Sequence, residues 1–437
     1  MANTFGFGKG VHPNPCKELT ENLRIKVMEA PERVFIPVSQ HLGAPAKVLV
    51  KAGDKVKIGT KLAECGGFVS ANTFSSVSGE VIGIVKKYSP VGSLVDHIEI
   101  QNDGKDTTAF LKPLKNPTAA EIIERSKDAG LVGMGGAGFP TNVKLTPPPD
   151  KKVDSLIINA AECEPYLTCD YRLMIEQADK IIKGARYLAT ALNVKNIYIG
   201  VEDNKPEGIA ALQKKAGKGI NVVALKTRYP QGAEKQLIYA LLKRKVPCGK
   251  LPADAGAVVQ NAGTAVALCE AIEEGKPLYE RVLTVSGHAA KNPMNLLVRT
   301  GTLYSDLAAL CKVDENELKQ IISGGPMMGY AVANADIAVS KTTSGVLFFN
   351  DKDVHEKEQT NCINCGKCVS VCPMNINPVY IARYYEAGNY DEAERYGALN
   401  CIECGSCSYV CPAARPLVQD IRGAKKEINR IKKEGKK

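Results

Sequence analysis

The spacing of apolar and polar residues changes along the chain, and each change indicates a different architecture. Residues 33–85 alternate apolar and polar positions in short runs with tight turns, as in a small β-sandwich. Beyond residue 117, apolar runs alternate with stretches of helical spacing, which is typical of α/β layer structures. The predicted strands are 153–159, 196–202, 219–225 and 257–262, and the predicted helices are 118–130, 173–192, 205–216, 233–244 and 263–274.

The remainder of the chain has two further patterns. Residues 281–345 return to short strands around one helix near Tyr304–Cys311. The last part contains two cysteine-rich runs and then a tail with apolar residues at helical spacing. The residues of this tail face are Leu417, Ile421, Ala424, Ile428 and Ile431. We therefore expect an α/β multidomain protein with units at 1–112, 113–280, 281–350, 351–420 and 421–437.

Composition and charge narrow the range of functions. The formal net charge is +10, but half of this excess lies in the last fourteen residues, which carry seven Lys or Arg and two Glu. Few aromatics accompany the basic residues and no nucleic-acid motif is present, so we expect no nucleic-acid partner. The tail is either a solvated helix end or a contact with a membrane surface or partner. No run of about 18 apolar residues occurs and the N-terminus has no apolar signal region, so neither a membrane span nor secretion is predicted.

The fifteen cysteines are unevenly distributed, and eight of them lie between Cys362 and Cys411. Both runs read C-x2-C-x2-C-x3-C-P, with every cysteine repeated 39 positions later. Three thiolates on one tight loop reach three corners of a [4Fe–4S] cube, and the fourth cysteine ligates the other cluster. The spacing thus predicts two clusters, one held by Cys362, Cys365, Cys368 and Cys411, the other by Cys372, Cys401, Cys404 and Cys407.

Zinc sites or buried thiols are the alternative for these cysteines. Zinc sites usually combine well-separated C-x2-C pairs, often with histidine, and no histidine occurs between 356 and 437. The segment between the runs has helical character, which favours an α-helical ferredoxin. Cys163 and Cys169, elsewhere in the chain, are expected to be small buried residues rather than ligands.

The segment 132–144, VGMGGAGFPTNVK, contains four glycines within six residues. A dinucleotide turn of the G-x-G-x-x-G kind follows a strand and opens a helix. Here a predicted helix precedes the loop and prolines follow it, so we do not predict a Rossmann turn. The glycines still let backbone amides approach a phosphate or a flat ring. A flexible loop without a ligand is the alternative.

This loop is similar to the loop that holds FMN and NADH in the flavoprotein subunit of respiratory complex I. The stretches NAAECEP (159–165), YPQGAEKQL (229–237) and VVQNAGT (258–264) follow in the same order. Residues 33–85 resemble the biotinyl/lipoyl carrier fold, but the hairpin tip GGFVSANTF lacks the lysine that a carrier needs. With GVHPNPCKELT (10–20) in front and the cysteine runs behind, nearly the whole chain resembles the C subunit of Rnf electron-transport complexes.

The resemblance implies an N-terminal barrel-sandwich hybrid, a central α/β domain for FMN and NADH, a β-grasp domain and a C-terminal ferredoxin domain. Phe139 would stack on a ring and Lys144 would face a phosphate. Ala161 and Leu145 depart from the complex I pattern, which has an acidic residue and an aromatic residue there. The implied cofactor-binding residues are Gly133, Gly135, Gly136, Gly138, Phe139, Lys144, Asn159, Glu162, Glu164, Tyr229, Gly232, Glu234, Asn261 and Thr264.

The resemblance further implies an NAD-dependent oxidoreductase that needs no acid or base residue. NADH would reduce FMN, and electrons would pass through two [4Fe–4S] clusters to other subunits of a membrane complex, including a ferredoxin-type subunit, and to ferredoxin. The protein would lie peripherally at the cytoplasmic face of the membrane. A soluble flavin/iron–sulfur reductase, such as a cobalamin reductase, and a flavin-free electron-transfer scaffold are the alternatives. From the residues alone, the alternative for Glu162 and Glu164 is that they form caps or ion pairs on the surface, because charged residues in loops usually face solvent.

Overall fold

The computed structural model describes residues 6–354 and 357–434. The first five residues of the expected N-terminal unit, residues 355 and 356 of the expected ferredoxin unit and the last three residues of the basic tail lie outside the described residues. Within the described part, four packed units follow one another along the chain. Among these residues no helix is both long and apolar enough to cross a membrane.

The first unit consists of two small antiparallel sheets. Up to residue 102 the strands are β1 (Ile25–Val27), β2 (Arg33–Pro37), β3 (Lys47–Val48), β4 (Lys55–Val56), β5 (Lys61–Glu64), β6 (Thr73–Phe74), β7 (Gly79–Tyr88) and β8 (Leu94–Asn102). One sheet has the order β2-β8-β7-β4 and the other β3-β5-β6. Alternate apolar residues, such as Ile36, Leu62 and Ile98, are buried between them. This confirms the predicted sandwich of short strands, to which β8 adds a strand beyond residue 85.

The second unit is a parallel sheet covered by helices. Its elements are α1 (Ala119–Asp128), α2 (Thr141–Lys144), β9 (Ser155–Asn159), α3 (Cys169–Glu176), α4 (Ala178–Leu192), β10 (Asn196–Glu202), α5 (Pro206–Ala216), β11 (Ile220–Leu225), α6 (Glu234–Leu242), a 3-10 turn (Pro252–Ala255), β12 (Ala257–Asn261) and α7 (Ala262–Glu273). The strand order is β11-β10-β9-β12, all parallel. The predicted single helix 173–192 is wrong, because the non-helical backbone of Gln177 (φ −133°, ψ 32°) divides it into α3 and α4.

The third unit is a mixed six-stranded sheet that includes a strand from the N-terminal segment. Its later elements are β13 (Glu280–Ser286), β14 (Met294–Arg299), α8 (Tyr304–Leu310), β15 (Gln320–Ser323), β16 (Tyr330–Val332) and β17 (Gly345–Phe349). The strand order is β1-β14-β13-β17-β15-β16, with β1 parallel to β14. Residues 25–27 therefore belong to this sheet rather than to the first sandwich.

The fourth unit is helical and carries both cysteine runs. Its elements are α9 (Lys367–Ser370), α10 (Pro378–Glu386), α11 (Tyr390–Arg395), a 3-10 turn (Ala398–Asn400), α12 (Ser406–Tyr409) and α13 (Leu417–Glu434). The predicted apolar face of the tail packs against α10 and α11 through Ile421, Ala424 and Ile428, whereas Ile431 is exposed. Because α13 is continuous through residue 420, most of the basic tail extends this unit.

Candidate functional site

The parallel sheet has a topological switch between β9 and β12. From β9 the chain continues to β10 and β11 on one side, whereas β12 lies on the other side of β9. Ligands of open α/β sheets bind at the carboxyl ends of strands at such a switch. The last residues of these two strands, Asn159 and Asn261, are register partners. Two of the expected pocket residues therefore lie side by side at the position where the topology places a ligand.

The amides of Asn159 and Asn261 hold neighbouring loops at this edge. Asn261 Oδ1 accepts a hydrogen bond from Gly263 N (2.8 Å), which caps α7, and its Nδ2 donates to Asp170 Oδ2 (2.7 Å). Asn159 Nδ2 donates to the carbonyl oxygen of Gly232 (2.8 Å). The sheet edge, the start of α7 and the 229–237 segment thus converge in one place.

The glycine loop closes on itself beside this edge. Gly133 N donates to the Phe139 carbonyl oxygen (2.9 Å), and residues 132 and 140 form a bridge. Thr264 Oγ1 accepts a hydrogen bond from Met134 N (3.0 Å), which anchors the loop to α7. The helix before the loop is observed, as expected. The loop is followed by the single turn α2 rather than by a long helix.

The tip of the loop is open to solvent. A Cβ atom on Gly135 would lie 3.0 Å from Asn261 Nδ2, so glycine allows the backbone to approach the sheet edge there. A Cβ atom on Gly136 would meet nothing within 4 Å. Gly138 has φ +69° and lies close to Thr342, a conformation that favours glycine. The exposed backbone between residues 135 and 137 has room for a ligand.

Lys144 lies near the same edge, but its ammonium group is engaged. Lys144 Nζ donates to Glu234 Oε1 (2.8 Å) and to the Val259 carbonyl oxygen (3.0 Å). Both side chains are partly exposed. The expected contact of Lys144 with a phosphate would therefore compete with this ion pair.

The carboxylate of Glu162 is bound by backbone amides. It accepts hydrogen bonds from Asp170 N (2.6 Å) and Tyr171 N (3.2 Å) in the first turn of α3. Burial raises the pKa of this carboxyl to about 7. The capping role that the residues alone allow is thus observed, although inside the protein rather than on its surface.

Lys17, from the N-terminal segment, fixes the loop that carries Glu162 and Glu164. Its buried Nζ donates to the carbonyl oxygens of Glu162 (3.1 Å), Glu164 (2.9 Å) and Leu167 (2.5 Å). Burial lowers the pKa of Lys17. No sequence spacing predicts a role for this lysine, because the three carbonyls that converge on it lie more than 140 residues away in the chain.

Glu164 is turned toward the third unit. Its carboxylate accepts hydrogen bonds from Met327 N and Met328 N, both at 3.0 Å, and lies 3.2 Å from the Tyr229 hydroxyl. Burial raises the pKa of Glu164 to about 7. Residues 162–164 nevertheless keep intermediate exposure between buried neighbours, so this loop borders an accessible space.

Tyr229 connects the α/β unit to the cysteine unit. Its side chain is 2 % exposed, and its hydroxyl donates to the Cys404 carbonyl oxygen (2.7 Å). Cys163 packs in the same apolar cluster and accepts a hydrogen bond from Gly232 N (3.3 Å). Of the fourteen expected pocket residues, Tyr229, Gly138 and Thr264 are buried, whereas the others keep accessible surface.

The eight cysteines of the two runs line two separate cavities. The first has a volume of about 200 Å³ and contains one group of four cysteines, while the second, of about 20 Å³, contains the other four. These groups are Cys362, Cys365, Cys368 and Cys411 in the first cavity and Cys372, Cys401, Cys404 and Cys407 in the second. Each cavity therefore combines three cysteines of one run with the last cysteine of the other, which is the exchange that the spacing predicts.

The donor set of these cavities suits a cluster better than a single ion. Among residues 6–354 and 357–434, no three His, Cys, Asp or Glu side chains converge as the ligands of one metal ion would. A cubane binds its thiolates at four separate irons, so its cysteines stand further apart. Burial raises the pKa of Cys401 to about 12, and a thiolate there needs a cation to balance it.

The second cavity borders several other parts of the chain. Beside the Tyr229 contact, a Cβ atom on Gly405 would lie 2.6 Å from the Met327 carbonyl oxygen. Gln236 Nε2 donates to the Pro373 carbonyl oxygen (3.2 Å), and Gly10 N donates to that of Val371 (3.0 Å). The α/β unit, the third unit and the N-terminal segment thus cover this side of the cysteine unit.

Three known domain families match parts of the chain. Residues 5–105 match the RnfC barrel sandwich hybrid domain, residues 126–270 match the Nuo51 FMN-binding domain, and residues 355–412 match a 4Fe-4S dicluster domain. These matches agree with the first, second and fourth units of the fold.

Two curated relatives match over almost the whole chain. The chain is 48% identical to the C subunit of the proton-translocating ferredoxin:NAD(+) oxidoreductase complex of Clostridium ljungdahlii, covering 96% of this chain and 93% of that protein. It is 46% identical to the Na(+)-translocating counterpart of Acetobacterium woodii, covering 98% of each. A solved NAD+-reducing [NiFe]-hydrogenase is similar in fold, with TM-score 0.50 and 19% identity over 71% of this chain and 63% of that chain.

Proposed function

The chain belongs to the family of C subunits of ion-translocating ferredoxin:NAD(+) oxidoreductase complexes, and we propose that it is the electron-input subunit of such a complex. In this role it is an NAD-dependent oxidoreductase that exchanges hydride between NADH and FMN. Single electrons pass through two [4Fe–4S] clusters to partner subunits and ferredoxin, coupled in the complex to ion translocation. The contact between Tyr229 and Cys404 carries this proposal, because it joins a ligand-binding sheet edge to a cysteine cavity.

FMN fits the switch between β9 and β12. Gly135 and Gly232 keep the backbone close to Asn261 and Asn159, and the loop tip offers exposed amides for a phosphate or ring. Bound FMN supplies the exchange between two-electron hydride transfer and one-electron transfer. The chain binds and orients it, and no proton donor is assigned. The other expected residues border this edge, with Thr264 anchoring the loop and Lys144 paired to Glu234.

The clusters are proposed in the two cavities with the ligands that line them. Cys362, Cys365, Cys368 and Cys411 hold the first, and Cys372, Cys401, Cys404 and Cys407 hold the second. The second cavity contacts the α/β unit through Tyr229, whereas the lining of the first has no contact with Tyr229 among the described residues and includes the exposed Cys365. The route from NADH therefore meets the second cavity before the first.

The remaining assignments follow from family membership. We place the unit boundaries at 112, 280 and 350, with the basic tail from residue 421 continuing the fourth unit through α13 and residues 281–350 as a β-grasp domain that packs α8 on its sheet. The protein lies peripherally at the cytoplasmic face of the membrane, bound to other subunits that include a ferredoxin-type subunit. No nucleic-acid partner is proposed.

An anaerobic titration of the cluster-reconstituted protein with NADH tests this function. We expect about eight irons and one FMN per chain, with bleaching of the flavin band followed by that of the clusters. If eight irons are present and NADH bleaches nothing even with added FMN, the protein is a flavin-free scaffold instead. Co-purification of the protein with membrane subunits would identify it as a complex subunit. Isolation as a single chain would favour a soluble reductase.

A matched pair of glycine variants localises the flavin site. Gly136 and Gly83 both have open space where a Cβ atom would be, so neither variant should disturb the fold. Gly136→Val fills the mouth of the proposed pocket, and we expect FMN affinity to fall at least about tenfold, which corresponds to about 1.4 kcal/mol. Gly83→Val, on strand β7, should bind FMN like the wild type. Equal FMN affinity in both variants would place the flavin elsewhere.

A further inference from the structure

The first cysteine cavity opens on a cationic face of the molecule. The charged residues that line it are Lys367, Arg383 and Arg415, and among the described residues no Asp or Glu lines it. Arg415 is paired with Glu386 and is therefore neutralised. Arg383 donates to the neutral side chain of Asn364 (2.6 Å), and Lys367 is exposed with no ion pair among the described residues. Lys367 and Arg383 thus have no ion-pair partner among the described residues, while Glu386 and Asp420 both lie near Arg415.

Exposed apolar side chains lie between these charges. Ile363 is 67% exposed and stands between the cysteines of the first run. Tyr380, which is 41% exposed, lies under the guanidinium of Arg383 at 5.9 Å from the ring centre. Cys365, in the same run, is itself exposed. The first cluster therefore reaches the surface at an apolar patch with a basic rim.

We propose that this surface, the exit face formed by Ile363, Cys365, Lys367, Tyr380 and Arg383, docks an acidic protein that carries one electron at a time. The inference rests on the proposed function, because it requires a cluster behind the exit face. The transfer takes one electron from the chain and adds one to the carrier, with no bond formed and no proton moved. Transfer in the opposite direction uses the same contact.

An acidic carrier fits the exit face better than a lipid surface. Two cations without ion-pair partners attract an anionic membrane too weakly to hold the protein there. Redox encounters between proteins bury less than about 1,200 Å² and are guided by opposite charges, so a small apolar patch with two cations suffices. Electron transfer also requires that the carrier approach the cluster closely, and the exposed Cys365 allows this approach.

Titration calorimetry with both proteins oxidised tests docking without any electron transfer. The probe is an acidic two-[4Fe–4S] ferredoxin, added to the wild type, to K367E/R383E and to K214E/K215E. Lys214 and Lys215 are exposed on α5 and line neither cavity, so the second variant changes the net charge equally. We expect the Kd of K367E/R383E to rise at least about tenfold at low salt, and that of K214E/K215E to rise less than about twofold. Equal weakening in both would overturn the proposal.

Two further measurements separate weaker docking from loss of the cluster and from membrane binding. If K367E/R383E loses iron, the single variant R383E is titrated in its place, because Arg383 lies on α10 outside the cysteine runs. Its Kd should rise by several-fold, and an unchanged Kd would overturn the proposal. Vesicles containing phosphatidylserine provide the competing outcome: loss of vesicle binding in the variant with an unchanged ferredoxin Kd would assign the exit face to the membrane. Since none of these titrations uses NADH, they remain interpretable if the proposed NADH reaction fails.

Discussion

The cavity around Cys365 has an exposed cysteine and is bordered by cations, whereas the cavity around Cys404 has mostly buried cysteines and an apolar lining. The lining of the second cavity contains no charged residue among those described, and Cys404 and Cys407 are both buried. The first has Lys367, Arg383 and Arg415 in its lining. Cluster potentials depend on solvent exposure and on surrounding charge and hydrogen bonds, so two sites with identical ligands acquire different properties.

The difference comes from what covers each run. Gly366 and Gly405 occupy equivalent positions in the two runs, with φ of 74° and 75°. A Cβ atom on Gly366 would have no neighbour within 4 Å, whereas Gly405 packs directly on the backbone of Met327. Docking on the other units therefore converts one copy of a repeated motif into an internal site and leaves the other at the surface.

Removal of one ligand from each cavity should give the largest effect. Cys404→Ser should lose roughly half of the iron and prevent NADH from reducing the remaining cluster, because the second cavity is the one in contact with Tyr229. Cys365→Ser should also lose roughly half of the iron but leave one cluster that NADH reduces. Stopped-flow absorbance and iron assays measure both. Cys248→Ser, at an exposed cysteine that lines neither cavity, is the control. Rapid NADH-driven cluster reduction in Cys404→Ser would reverse the proposed order.

Iron removal should separate the cavities by rate. With an anaerobic chelator we expect two phases of about four irons each, the first at least about tenfold faster, because Cys365 is exposed whereas Cys372, Cys404 and Cys407 are buried. Cys365→Ser should lack the fast phase. A single phase in the wild type would show that both cavities are equally accessible and would contradict the comparison.

The sequence predicts the ligand exchange between the runs, but it does not predict this asymmetry. Cysteine spacing is local and determines which thiolates share a cube. The covering of Gly405 depends on Met327, almost 80 residues earlier in the chain, and no periodicity encodes that contact. For the same reason the exposure of Cys365 could not be predicted from its run.

The sheet edge at the ends of β9 and β12 shows the same division between local and distant information. Strand and helix alternation predicts β9 and β12, and the glycines predict a close backbone approach at Gly135. The three carbonyls bound by Lys17 depend on packing between remote segments, as does the position of Tyr229 at the cysteine unit. The break at Gln177 also escaped prediction, because residues 173–192 keep a helical pattern across it.

Alanine at the two equivalent glycines isolates the contribution of docking. Gly366→Ala and Gly405→Ala both impose the left-handed conformation on a Cβ residue, at a cost of about 1–2 kcal/mol. Gly405→Ala should cost a further 1–3 kcal/mol, roughly the penalty of overpacking, since its Cβ would lie 2.6 Å from the Met327 carbonyl oxygen. Thermal loss of cluster absorbance should therefore occur at a lower temperature in Gly405→Ala. Equal midpoint temperatures in the two variants would mean that the contact with Met327 does not stabilise the fourth unit.

Removal of one hydroxyl should give the smallest effect. The Tyr229 hydroxyl donates to the Cys404 carbonyl oxygen and to no sulfur of the described residues, so it acts on the second cluster only through the positive end of its O–H dipole, which favours the reduced, more negative state. Because such a bond contributes about 1 kcal/mol, Tyr229→Phe should lower the midpoint potential of the second cluster by at most about 40 mV. The first cluster should keep its potential, and Tyr380→Phe, at the first cavity, should leave the second cluster unchanged. Potentiometric titration with electron paramagnetic resonance distinguishes the two clusters. A shift confined to the first cluster would place Tyr229 beside the wrong cavity, and the proposed order of electron transfer would then have to be reversed.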